Sequence, residues 1–268
     1  MVKKEWRKDF QIIPGVSDRA QPFEIITSDR HDILVILVHG FTSSPYVMRH
    51  LAEFLAAEGM DVKAVLLAGH GRNPKALAKT DQNDWYQSID DIVADGVKKY
   101  KNVFLIGHSF GANMSIHATI KHPKVKGLVA LGVSISMIDE VWIRLLLPLA
   151  RIFQKNYKKR WIKQEDAERL EATGRYTCIP VKSIVNFYNF IDRVTKKDIA
   201  KLTCPVLAMH SREDEVAHPR SSEFLFKQLR VEDKELFILD KNNHGLLHKT
   251  RRDFVFDKIV YFIKGHLD

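Results

Sequence analysis

Residues Ile33-Leu34-Val35-Ile36-Leu37-Val38 form an unbroken apolar run rich in β-branched side chains. Alternating apolar and polar residues would mark a strand with one wet face. An unbroken run marks a strand covered on both faces, and in a soluble chain that means a parallel sheet sandwiched between helices. The rest of the chain keeps that rhythm. A helix is predicted over residues 45–58, with Val47, Leu51, Phe54 and Leu55 on one face and Gly59 as its stop. A strand over 61–67 follows, then a turn-rich loop from Ala68 to Pro74. A helix over 84–100 carries Trp85, Ile89, Ile92 and Val93 inward. Strand 103–106, helix 110–121 and strand 125–133 complete this half. Two short leading strands are expected over 10–14 and 23–27. Strands alternating with helices imply βαβ units with right-handed crossovers and helices on both faces.

The rhythm breaks between about residues 134 and 196, where the patterns are helical and no strand stands out. It resumes with strand 205–209, helix 221–229, strand 235–239 and helix 251–263. The expected organisation is an α/β core over 1–133 and 197–268, with a helical cap over 134–196 inserted after the sixth strand.

Gly107-His108-Ser109-Phe110-Gly111 lies where strand 103–106 meets helix 110–121. G-x-S-x-G in that context is a sharp strand-to-helix turn that projects a strained, exposed serine. Side chains two before and two after would collide with neighbouring elements. The helix N-terminus beside Ser109 offers unpaired N–H groups and partial positive charge. A serine needs a general base, and the base an orienting acid. In this topology the acid follows a strand beyond the insertion, and the histidine follows the last strand. Asp214, in Ser211-Arg212-Glu213-Asp214-Glu215, is the expected acid, ahead of Glu213, Glu215 and Asp240. His244, with Gly245 easing its turn, is the expected base among 12 histidines, and His248 is its competitor. His39-Gly40-Phe41 ends the first buried strand beside the elbow. The backbone N–H groups of Phe41 and Phe110 are therefore the expected oxyanion donors. His108 reads as a packing or pocket-wall residue and His70 as turn chemistry. HExxH and CxxC spacings are absent.

Composition narrows the class further. The excess of 42 basic over 33 acidic residues gives a net charge of +9. With no nucleic-acid motif beside it, this reads as a solvated basic surface. No apolar run reaches the roughly 18 residues of a membrane span, and the charged start Met1 to Asp9 lacks a signal core, so a cytoplasmic location is expected. Cys178 and Cys204 form no framework and read as reduced structural thiols, with a single bridge as the alternative.

These residues resemble the α/β-hydrolase superfamily along nearly the whole chain. More narrowly they resemble small bacterial carboxylesterases and monoacylglycerol lipases with a compact helical cap. The likeness rests on His39-Gly40-Phe41-Thr42, Gly69-His70-Gly71, Asp84-Trp85, the elbow, Arg212-Glu213-Asp214-Glu215 and His244-Gly245. It departs at Ala112, where related chains often carry a second glycine. The resemblance implies a Ser109, Asp214 and His244 triad, Phe41 and Phe110 as oxyanion donors, no cofactor and no metal. The implied activity is a serine carboxylesterase acting on short- to medium-chain esters through an acyl-enzyme. A monoacylglycerol lipase is the alternative, then a thioesterase or a carbon–carbon bond hydrolase. A non-catalytic ligand receptor is the reading from another class.

In the cap, Trp142, Leu146, Leu149 and Phe153 share a helical face, Arg144 and Arg151 another, and Pro148 is expected to kink or split the helix. Cap-to-core packing is the expectation for most of these apolar residues, with Trp142, Leu146 and His108 as candidate pocket residues. Phe153, Tyr157 and Trp161 recur every fourth residue, which predicts a helical stripe. Arg151, Lys155, Lys158, Lys159, Arg160 and Lys163 read as a solvated helix face, with docking to an anionic lipid surface as the functional alternative.

Overall fold

The computed structural model describes residues 12–27, 32–153, 156–159, 162, 164–241, 243–248 and 251–268. Its centre is a seven-stranded sheet. The strands are β1 (Phe23–Ile25), β2 (Ile33–Val38), β3 (Asp61–Val65), β4 (Asn102–His108), β5 (Gly127–Leu131), then β8 (Val206–Ser211) and β9 (Lys234–Leu239). A separate hairpin pairs β6 (Asn156–Lys158) with β7 (Cys178–Pro180). The order across the large sheet is β1-β3-β2-β4-β5-β8-β9. Only the β1–β3 pair within it is antiparallel.

Period-two alternation divides the sheet's side chains between two cores. Leu34, Ile36, Leu105, Ala130 and Ala208 pack on one face against Trp85 and Ile89 of α3 (Gln82–Lys99) and Ile116 of α4 (Phe110–Lys121). Val35, Leu37, Ile106, Val129 and Leu207 face the other way. They meet Leu51 and Leu55 of α1 (Arg49–Ala57) and Val255, Ile259 and Phe262 of α10 (Arg252–Gly265). Leu34 through Val38 have no exposed surface, which is why their sequence carries no polar alternation. The short α2 (Pro74–Leu77) precedes α3, and α9 (Arg220–Gln228) joins β8 to β9. The start of α3 is fixed two residues earlier than its apolar pattern suggests. Asp81 and Asp84 form a reciprocal capping box there.

Residues 12–14 are not strand, and residues 10 and 11 lie outside the described residues. The Gln21 side chain claims both backbone groups of Ile13, donating to its carbonyl and accepting from its N–H, so that segment closes on itself as a turn. The insertion therefore follows the fifth strand of the described residues rather than the sixth.

The segment between β5 and β8 carries α5 (Glu140–Phe153), the hairpin, α6 (Gln164–Glu171) and α7 (Val181–Phe190). A π-turn (Ile191–Thr195) and α8 (Lys196–Asp198) lead back toward β8. Helix α5 continues through Pro148. Its inward residues are Ile143 and Leu147, while Trp142 and Leu146 are 65% and 56% exposed. The face expected to pack on the core is thus the outward one. Arg144 ties α5 to the π-turn, bonding Glu140 and Asp192 at 2.7 Å each and lying over the Tyr188 ring. The expected helical stripe does not form, because Tyr157 lies in β6. Trp161, Lys155, Arg160 and Lys163 lie outside the described residues. Lys158 in β6 is exposed and Lys159, just past that strand, is buried, so these two lysines do not lie on one exposed helix face. Cys178 and Cys204 are free thiols.

Candidate active site

Ser109 sits between the last residue of β4 and the first of α4 with φ 55° and ψ −124°. A residue with a Cβ rarely adopts positive φ, and the conformation persists only where surroundings enforce it. Two glycines enforce it here. A Cβ on Gly107 would collide with the backbone of Gly111 and Ala112, and one on Gly111 with the carbonyl oxygens of Val38 and His39. The Ser109 N–H donates to Leu131 O at 2.7 Å, anchoring the elbow to β5.

The turn after β2 lies against this elbow. A Cβ on Gly40 would stand 3.0 Å from that of Ser109. His39 is locked behind the turn, donating from Nδ1 to Gly40 O at 2.8 Å and accepting at Nε2 from Leu67 N–H at 3.2 Å. Burial holds its pKa well below the ordinary value, so it stays neutral. The Phe41 ring is held among Trp85, Phe110 and Phe187, with centroids 5.2–5.7 Å away. Helix α7 of the insertion thus helps fix the turn that carries the Phe41 N–H. Among the described residues, neither the Phe41 nor the Phe110 N–H donates to another protein group.

Asp214 and His244 come together from the loops after β8 and β9. His244 Nδ1 lies 2.7 Å from Asp214 Oδ2, and the carboxylate is fully buried. Asp214 Oδ1 accepts from the N–H groups of Val216 and Ala217, each at 2.8 Å. Burial pushes the Asp214 carboxyl up, but hydrogen bonds from His210 and His244, the charge of His244 and the Val216 N–H outweigh it. They hold the group well below the carboxylate range. Of the alternatives, Asp240 pairs with Arg212 on the surface, and the Glu215 carboxylate accepts from the His244 N–H. His248 lies beside His50.

His108 donates from Nε2 to the His244 carbonyl at 2.8 Å, with ring centroids 5.0 Å apart. Burial and the neighbouring His244 push its pKa down to about 3. It therefore supports the loop that carries His244.

Three residues here carried no sequence signal. His210, fully buried on β8, places Nε2 3.2 Å from Asp214 Oδ2 and 3.0 Å from Ala217 O, and Nδ1 2.7 Å from Ser222 Oγ. Two acceptors at Nε2 mean that nitrogen carries the proton, leaving Nδ1 to accept from Ser222. Ser134 Oγ lies 2.9 Å from Ser109 Oγ. Asn113 on α4 clasps the Ser134 backbone, donating to its carbonyl at 3.1 Å and accepting from its N–H at 3.2 Å. Only the His210-to-Asp214 spacing of four residues is local. Ser134 and Asn113 meet Ser109 through the crossing of β5 and α4.

The comparisons with known proteins agree with this architecture. The family described as serine aminopeptidase, S33, matches residues 29–251. A thermostable monoacylglycerol lipase of Bacillus sp. (strain H-257) is 24% identical over 249 residues, covering 92% of this chain and 95% of the relative. A carboxylesterase of Bacillus subtilis is 24% identical over 239 residues, covering 87% and 93%. Among solved structures, one of a metagenome-derived lipolytic enzyme superposes with a TM-score of 0.80 at 25% identity, over 96% of this chain and 100% of that one. The monoacylglycerol lipase of Paleococcus ferrophilus gives 0.75 at 22%, over 92% and 98%. A strained serine between two obligatory glycines, on a seven-stranded mostly parallel sheet, is therefore no isolated coincidence of geometry: the chain belongs to the serine aminopeptidase S33 family of the α/β-hydrolase superfamily.

Proposed function

We propose that the protein is an ester hydrolase, a serine carboxylesterase that cleaves short- to medium-chain carboxylic esters through an acyl-enzyme on Ser109. The observation that carries this reading is the positive-φ Ser109 on its elbow, on a fold that also buries Asp214 against His244. Relatives named as carboxylesterase and monoacylglycerol lipase support the ester class.

In this mechanism Asp214 fixes the imidazole with its proton on Nδ1, leaving the Nε2 lone pair to take the Ser109 proton. The alkoxide attacks the ester carbonyl, and the oxyanion accepts from the Phe41 and Phe110 N–H groups. Each donor contributes about 3 kcal/mol in the transition state. The alcohol leaves with the proton from His244. Water, deprotonated by the same nitrogen, then hydrolyses the acyl-enzyme. Residues 1–133 and 197–268 serve as the catalytic core, and 134–196 as a cap that walls the acyl site with Ile143, Leu147 and Phe187.

A monoacylglycerol lipase is the second reading. It is favoured by the outward face of α5, where Val141, Trp142, Leu145, Leu146 and Leu149 are 56–74% exposed. A contiguous apolar face in water suits transient contact with a lipid surface.

A p-nitrophenyl ester series from acetate to palmitate, run beside monoacylglycerol, separates these readings. Hydrolysis and fluorophosphonate labelling are expected for the parent and lost in Ser109→Ala. A rate maximum at short acyl chains supports the esterase, and preference for dispersed monoacylglycerol supports the lipase. A parent that neither hydrolyses nor labels would be a ligand receptor on a hydrolase fold.

A further inference from the structure

We propose that Ser134 is a catalytic residue whose hydroxyl donates a hydrogen bond to Ser109 Oγ and assists its departure from the acyl-enzyme; this rests on the acyl-enzyme reading above. The two oxygens are 2.9 Å apart, and Ser134 has no exposed surface. Among the described residues the Ser134 hydroxyl has this one partner. If Ser109 were the donor, the Ser134 proton would be buried with no acceptor. With Ser134 as donor, the fully buried proton finds its acceptor and the proton of the slightly exposed Ser109 stays free. The Ser134 proton goes to Ser109 Oγ, and that of Ser109 remains for His244 Nε2, whose other nitrogen is committed to Asp214 at 2.7 Å.

Ser134 is fixed for this task from two directions. Asn113, fully buried, holds its N–H and carbonyl, and the same Asn113 amide donates to Thr195 Oγ1 at 3.3 Å. Thr195 closes the π-turn of the insertion, and such turns mark places where a helix is adjusted to bring a side chain to a site. Asn113 and Thr195 are thus positioning residues that tie the cap to the nucleophile's partner.

A donor at this place acts unequally on the two half-reactions. In the free enzyme Ser109 Oγ is an alcohol oxygen and a good acceptor, so the bond already exists before attack. In the acyl-enzyme the same atom is the bridging oxygen of an ester, a poor acceptor. Deacylation breaks the bond between that oxygen and the acyl carbon. The oxygen takes the bonding electrons and then the proton on His244, which His244 had drawn from the attacking water; the acid is released. Charge grows on Oγ during attack as well, but there the Ser134 bond starts strong; departure starts from a poor acceptor, so the bond strengthens most there.

The test is rapid-mixing kinetics with p-nitrophenyl acetate, with intact-protein mass spectrometry of the acyl-enzyme, on parent, Ser134→Ala and Thr195→Val. For Ser134→Ala the expected result is deacylation slowed about tenfold and acylation about twofold, with acyl-enzyme accumulating. Thr195→Val should shift the same ratio by about two- to threefold. Equal slowing of both steps, or an unchanged ratio in Ser134→Ala, overturns the proposal, since mere displacement of Ser109 would penalise both steps alike. A parent that forms no acyl-enzyme would instead overturn the function on which the proposal rests.

Discussion

The nucleophile elbow and the outer helix of the insertion lie at opposite ends of how tightly a chain can be specified. At the elbow, Gly107 and Gly111 touch backbone so closely that no Cβ fits, and Leu34 to Val38 of β2 are sealed from water. On α5, five large apolar residues project outward and the contacts inward come from Ile143 and Leu147. Backbone collisions fix Ser109, whereas α5 is held by few contacts. Under the function proposed above, reaction chemistry and choice of substrate would fall to parts of different rigidity.

The strongest way to break this contrast is to change chemistry without touching either region's packing. Asp214→Asn keeps the shape but loses the charge that sets the His244 tautomer. Turnover should fall roughly 10⁴-fold, with a lowered melting temperature because the amide cannot accept from His210, His244 and two backbone N–H groups at once; a fall in turnover under tenfold would remove Asp214 from its role. Next comes the elbow itself. Gly111→Ala drives a methyl into the Val38 carbonyl, so the expected loss is about 4 kcal/mol or more, read by urea denaturation. Normal stability there would mean that the elbow is not rigid.

Titration sharpens the contrast, because the two regions respond in opposite pH ranges. Burial holds His70 at about 4 and His108 at about 3, against 6.5 in the unfolded chain. As pH falls below 6.5 the unfolded chain gains protons that the folded core refuses. Stability should drop toward pH 4 by up to about 1.4 kcal/mol per pH unit for each such proton. In the hairpin, burial and then Arg175 push Lys159 down to about 7, against 10.5 unfolded. Between those values the unfolded chain again binds the extra proton, so this contribution makes stability rise with pH. Lys159→Met should flatten the alkaline limb of a melting-temperature profile and leave the acid limb unchanged. The smallest stability effect is expected at α5. Leu145→Ser with Leu149→Ser should change stability by no more than about 0.5 kcal/mol per site. Hydrolysis of a soluble ester should be preserved, while binding to phosphatidylglycerol vesicles falls if that face meets lipid.

What could be read in the sequence follows the same division. Strands of the core are legible because both their faces are dry and leave an unbroken apolar run, and helices because one face is dry and period 3.6 reports it. The elbow is legible because its glycines are a steric demand written in one-letter code. Helix α5 misleads because amphipathicity reports that two faces differ, not which is wet. Leu146 and Trp142 are apolar yet exposed, and Arg144 is charged yet partly covered, paired with Asp192 and stacked on Tyr188. Tyr157 falls at a helical spacing by coincidence inside a three-residue strand too short to show alternation. Ser134 and Asn113 could not be found at all from the sequence. They are 21 residues apart, and their meeting depends on how α4 lies across β5.

One topological detail bears on how such a chain can change. Strands β5 and β8 are parallel neighbours, with Leu131 opposite Met209. The chain leaves the sheet at one end of β5 and must re-enter at the other end of β8. The insertion is therefore a lengthened crossover, and its last stretch, with Ile199 and Leu202 buried against the core, makes the descent. Parallel strands need roughly a dozen residues or more for that journey. Joining residue 133 directly to 206 would leave no chain to make it and would unzip the sheet between β5 and β8. A miniature that trims α5 and the hairpin but keeps the descending leg meets no such obstacle. Growth and loss of ornament are open on the ascending side alone, and a designer who wishes to exchange the insertion has the sheet's own connectivity as the cutting guide.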